Sequence, residues 1–368
     1  MGKIVHLLPV VGLSLFLAVA CSDEDPSSPG GSAGSSGAAG SGTAGSGGSN
    51  AGGSSGASGN SCVDPRTEPS LIPLTDAAGS GVWSGFQIDG GELFFQDLDG
   101  VYAQPLAGGA RRTVYSGGAS RFQVVGDKVR FVQGLELREV SHTGGNATTL
   151  NQIPTGHSAA LFTPGGLVIH DQSLLVDDGK LSLLGYDGAA PVAIAPYSSK
   201  IPPDNFALLQ GRIFFRVGLG DFVSQLVSVP LAGGQVTPTE MPTGLRFQRI
   251  LGVAGSSLYA AAEDDFLKNT VLKIDVNGAI TASYVVSSGT AMAAVEAEGG
   301  VAIGGIEFLD LWRDGQPAAE RVRCFQVGAG VSSPFPTIHD YAASGKDVFL
   351  SIRTPEPNQN AIQQIPLP

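Results

Sequence analysis

Apolar residues in this chain come in short runs that occur in pairs. One run ends at a tight turn of Gly, Asp, Ser or Lys, and a second run follows at once. The pattern recurs seven times between Gly85 and Leu350. The clearest copies are residues 88–95, 209–215 and 253–259; looser ones are 125–129, 162–167, 295–301 and 343–348. β-Branched and aromatic residues fill the runs, and no window keeps apolar residues at helical spacing over three turns. The pattern therefore predicts β-hairpins and excludes helical repeats. A hairpin that cannot bury its own face must stack on a copy of itself.

The residue that opens each second run serves as a marker: Leu93, Val129, Leu167, Ile213, Leu258, Val301 and Val348. Successive markers lie 36 to 47 residues apart, with a mean of about 42. That period matches a four-stranded propeller blade. A third strand follows in each unit. In the first and fourth units it ends in Pro-Leu-Ala-Gly-Gly, at Pro105 and at Pro230, 125 residues apart and so three units in phase. Asp187-Gly188 and Asn277-Gly278 stand at the corresponding turns of the third and fifth units, and such pairs favour the turns that join antiparallel strands. The last unit ends one strand short. Residues 70–74 supply an apolar strand that pairs with it and closes the ring, which removes an exposed edge. The expected fold is an all-β propeller of seven blades, each of about four antiparallel strands. Six or eight blades, or a sandwich of two sheets, are the alternatives.

The amino end reads as an address rather than fold. Lys3 precedes an apolar stretch from Leu7 to Ala20, too short to span a membrane comfortably and suited to a secretion signal. It ends in Leu17-Ala18-Val19-Ala20-Cys21, with small residues before a Cys. From Pro26 to Ser61 every residue is Pro, Gly, Ser, Ala, Thr or Asn, which cannot form a core. A tether of this kind reaches roughly 33 Å. The expected domains are a signal over 1–20, a tether over 21–61 and the propeller over 62–368.

Composition narrows the function. The net charge of −12 disfavours a nucleic-acid role. Of three Cys, Cys62 and Cys324 remain if Cys21 carries lipid. In an exported protein this suggests one disulfide, the alternative being two separate thiols. Asp97 and Asp99 stand at i and i+2 in a turn and are candidate metal ligands, although the full calcium loop is missing and a solvated turn is the simpler reading. His157, His339 and Asp340 sit at the starts of inner strands, where they could share the axial channel as an acid–base or metal cluster. No nucleophile elbow or phosphate cradle is present, and no cofactor is expected.

Taken with the repeat, the Cys21 motif and the tether, the chain resembles the propeller-bearing surface lipoproteins of myxobacterial type. The resemblance implies lipidation at Cys21, an extracytoplasmic location on the outer membrane or cell surface, and a monomer anchored to the membrane by its lipid. An ordinary signal peptide cut near Ala20 is the alternative. The expected function is a non-catalytic binding or scaffolding module, with segments 309–316 and 355–360 as loops that contact a protein, peptide or glycan. The alternative is a propeller-type enzyme acting on a polysaccharide or sugar through acidic or His residues at the central channel.

Overall fold

A computed structural model describes residues 62–73, 84–171, 176–220, 223–327, 337–354 and 359–368. The expected signal, the expected tether and Cys21 lie outside them. The described chain forms seven antiparallel sheets of four strands. Six of them take consecutive strands from 84–116, 121–152, 157–199, 204–238, 246–285 and 291–324, numbered blades 1 to 6. Blade 7 takes three strands from 337–366 and its fourth, Ser70–Ile72, from the amino end. The inner strands of successive blades touch one another in order, and the last, Thr337–Ser344, touches the first, Ser84–Asp89. The sheets are therefore arranged radially around one axis.

Packing explains the paired apolar runs. The seven markers all sit on the second strand of a blade and are 5% exposed or less. Successive side chains on a strand point to opposite faces, and each blade face meets a neighbour. Phe94 thus packs with Phe122, Val129 and Phe131 of blade 2, while Phe95 packs with Phe349 and Ile362 of blade 7. Phe214 and Phe215 divide in the same way between blades 5 and 3. The buried apolar residues separate into seven clusters, each shared between two neighbouring blades. A sheet covered on both faces needs apolar runs rather than alternation.

The repeated Pro-Leu-Ala-Gly-Gly marks one local structure. Pro105 and Pro230 end the third strands of their blades, where a missing N–H is tolerated. The next N–H bonds back to the first hairpin turn: Leu106 to the Gly91 carbonyl at 2.9 Å, and Leu231 to that of Gly211 at 2.8 Å. Leu367 repeats the contact on Lys346 at 2.7 Å, so the carboxyl end follows the same rule.

Two clasps hold the ring shut. The first pairs Ser70 with Gln363 and Ile72 with Ile362. The second is the Cys62–Cys324 disulfide, which spans 262 residues. Beside it the Val63 N–H donates to the Cys324 carbonyl at 2.9 Å, and Arg323 pairs with Glu68 at 3.1 Å. The amino end is thereby fixed to the outer edge of blade 6 before it crosses to blade 7. One expected loop is different: residues 309–316 lie largely in the strand Phe308–Arg313, with Leu309, Leu311 and Trp312 buried. Asp310 made this run look polar. It is 4% exposed and paired with Arg321 of the adjacent strand. Residues 355–358 of the other expected loop lie outside the described residues.

Candidate functional site

All inner strands run in one direction, so their first residues mark one end of the channel. These residues are Ser84, Arg121, His157, Asp204, Arg246, Ala291 and Thr337. Four are titratable. Three of the four have a partner within their own blade: Asp204 with Arg216, Arg246 with Asp265, and His157 with Asp171 at 3.2 Å. Arg121 has no ion pair or side-chain hydrogen bond among the described residues.

His157 and Asp171 face each other because their positions pair in the hairpin between the first two strands of blade 3. Nε2 of His157 is the nitrogen near the carboxylate, which leaves Nδ1, enclosed and without a partner, to hold the other ring position. Asp171 also fixes a second imidazole: its carbonyl lies 2.9 Å from Nδ1 of His170. That contact places the proton on Nδ1 and the lone pair on Nε2. His170 stacks on Phe206 of blade 4, with ring centroids 5.6 Å apart. Burial holds its pKa below the ordinary histidine value, and the charges of Arg121 and His157 push in the same direction.

A cavity of about 480 Å³ opens among the inner strands of blades 1, 2 and 3. Its lining includes Gln87, Gln96, Arg121, Gln123 and Leu161, with Arg121 the one charged residue. Arg121 keeps accessible surface because the cavity is open. Protein nevertheless surrounds it closely enough for desolvation to lower its guanidinium pKa.

The structure separates the three residues expected to share the channel. His157 belongs to blade 3, while His339 and Asp340 belong to blade 7, which is not its neighbour. Nε2 of His339 lies 2.7 Å from the Thr337 hydroxyl, and burial and the Arg353 charge lower its pKa. Asp340 is a clamp between blades. Its Oδ2 accepts the Gly85 and Phe86 N–H groups of blade 1 at 2.6 and 3.2 Å, and Oδ1 accepts that of Tyr341 at 2.8 Å. Burial still raises its pKa, against these bonds. Asp97 is 6% exposed and spends Oδ1 on the N–H groups of Asp99 and Gly100, at 2.8 and 3.0 Å, so it caps a turn. Among the described residues no three His, Cys, Asp or Glu side chains are placed to hold one metal ion.

Arg121, Gln123 and the second role of His170 were not singled out from the sequence. The available signal was phase: Arg121 opens its inner strand as His157 opens the next. The lack of a partner at Arg121 is a tertiary fact with no mark in the sequence.

No known protein family matches the chain, and no characterised protein matches it by sequence. Solved structures match its fold. An oligogalacturonate lyase from Vibrio parahaemolyticus is 13% identical, with a TM-score of 0.59, and the match covers 83% of this chain and 96% of that one. An oligogalacturonate lyase in complex with manganese is 14% identical, with a TM-score of 0.55, covering 76% and 87%. A puromycin-hydrolyzing peptidase from Mycobacterium tuberculosis is 13% identical at a TM-score of 0.52, and the match covers 81% of this chain but 54% of the peptidase. At these identities the likeness is one of fold. It overturns the expectation of a non-catalytic module. That expectation took the lack of a recognisable motif as a sign of scaffolding, yet two lyases carry this ring over nearly their whole length. Among the described residues, no group of three His, Cys, Asp or Glu side chains stands where the manganese of one lyase would need donors.

Proposed function

We propose that the chain is a propeller-type enzyme acting on a polysaccharide or sugar, with its acid–base group at the channel end of blade 3. The observation that carries this reading is the His157–Asp171 pair, at 3.2 Å, on the inner strand that also lines the cavity. The two side chains meet at Nε2 and are 26% and 27% exposed, so a proton held between imidazole and carboxylate is within reach of a substrate. His170, whose pKa burial lowers and whose ring the Asp171 carbonyl orients, is the companion imidazole. The fold shared with two oligogalacturonate lyases makes oligogalacturonate the first substrate to try.

The test is incubation of the domain, residues 62–368, with a panel of acidic and neutral oligosaccharides, the products being read by mass spectrometry. Cleavage of at least one substrate is expected. His157→Ala should slow it by about 100-fold or more, the ordinary range for loss of a general acid or base. No product from any substrate, or full activity in His157→Ala, would sink the reading.

The location proposed for this enzyme is the cell envelope: lipid on Cys21, the tether over 21–61, and a single ring held off the membrane. Metabolic labelling with palmitate tests it directly. The intact chain should take up label and Cys21→Ser should not.

A further inference from the structure

Building on the reading of this ring as a sugar-acting enzyme, we propose that the cavity among blades 1, 2 and 3 recognises a carboxylate-bearing sugar, with Arg121 as the carboxylate anchor. Most other polar groups of the lining are already engaged or enclosed. Gln87 is fully engaged as a staple between blades: its Nε2 donates to the Phe122 carbonyl at 2.8 Å, and its Oε1 accepts the Val124 N–H at 2.9 Å. Gln96 donates to the Ser120 carbonyl at 3.3 Å, but its Oε1 is enclosed and has no partner. The Oε1 of Gln123 is likewise enclosed without a partner. Both oxygens are closed off from a ligand, which leaves the Arg121 guanidinium as the strongest polar group the lining offers.

Arg121 supplies the charge. Of the four inner strands that open with a titratable residue, only its strand leaves that residue unpaired among the described residues. The chain as a whole carries a formal charge of −12, which repels anions. A single unpaired guanidinium in a concave site is the local exception. Its planar fork matches the two oxygens of a carboxylate. The cavity, at about 480 Å³, lies within the range of about 300–1,000 Å³ common for small-molecule sites. Because the guanidinium itself supplies the counter-charge, the proposed recognition calls for no metal ion.

The experiment is calorimetric titration of chelator-treated domain, residues 62–368, with short galacturonate oligomers and with their neutral galactose counterparts. The acidic sugar should bind about ten-fold or more tightly, as a charge-assisted bond would give. Arg121→Gln should abolish that preference, and Arg121→Lys, which keeps charge without the fork, should restore part of it. Equal affinity for the two sugars, a preference that survives Arg121→Gln, or a preference that needs added manganese would each overturn the proposal. Acid-selective binding without turnover upholds the anchor and defeats the enzyme reading. Turnover without charge preference defeats the anchor alone.

Discussion

Single residues in this ring are constrained by what approaches them across a blade boundary. Gly304 is the clearest case. A Cβ there would lie 2.6 Å from the ring of Tyr341, which is 3% exposed and donates its hydroxyl to the Gly305 carbonyl at 2.5 Å. Tyr341 has no room to retreat. Gly304→Ala should therefore cost about 1–3 kcal/mol by overpacking, read as a lower denaturation midpoint with an unchanged slope. His170 gives a pH test at the same scale. Burial lowers its folded pKa, and that of His339, below 6.5. The unfolded chain then takes up protons first as pH falls. The stability from these neutral imidazoles is present above pH 6.5 and is lost as pH drops through the lowered folded values. His170→Asn keeps a donor near the Nδ1 position and cannot titrate. Its melting temperature should fall less than that of the parent over this window, and parallel curves would refute the assignment. Legibility differs sharply among such residues. His157 could be read from the sequence because a rare imidazole opens a strand. Asp340 could be seen but not understood, since its partners are backbone N–H groups of blade 1, 254 and 255 residues away.

At the level of strands and hairpins, the sequence was most informative where local chemistry and tertiary packing agree. Gly-rich turns between apolar runs marked the first hairpin of each blade, and the Pro-Leu-Ala-Gly-Gly ending fixed the third strand of two. The outer strands were harder to see. That of blade 4 is only two residues, Thr237–Pro238, with Val236 the one apolar side chain directly beside it. The strand Phe308–Arg313 was mistaken for a loop because the pairing of Asp310 with Arg321 depends on register, which composition does not show. The adjacent Phe pairs allow a sharp test of the radial arrangement. Phe94 shares a cluster with Val129, whereas Phe95 shares one with Phe349 on the opposite side. In double-mutant cycles to alanine, Phe94 and Val129 should couple by about 0.5 kcal/mol or more, and Phe95 and Val129 should be additive within about 0.3–0.5 kcal/mol. Coupling of equal size for both pairs would mean that the two faces of blade 1 are not separate.

For the whole ring, closure is the controlling feature, and its two clasps act on different states. The strand Ser70–Ile72 covers the outer edge of Asn360–Pro366 in blade 7. A domain truncated to residues 84–368 loses that strand and Cys62 together, and leaves a row of unpaired backbone groups on an apolar sheet. It should aggregate or dimerise in size-exclusion chromatography. The disulfide removes freedom from the unfolded chain instead. For a loop of 262 residues the chain-entropy account gives about 5 kcal/mol. Cys324→Ser should therefore stay monomeric and keep the paired edge, since Ser70 and Ile72 still meet Gln363 and Ile362, while melting several degrees lower. A reductant should lower the melting temperature of the parent by a similar amount and leave Cys324→Ser unchanged. If Cys324→Ser aggregates as the truncated form does, the two clasps are one cooperative unit, and the separation between edge protection and chain entropy fails.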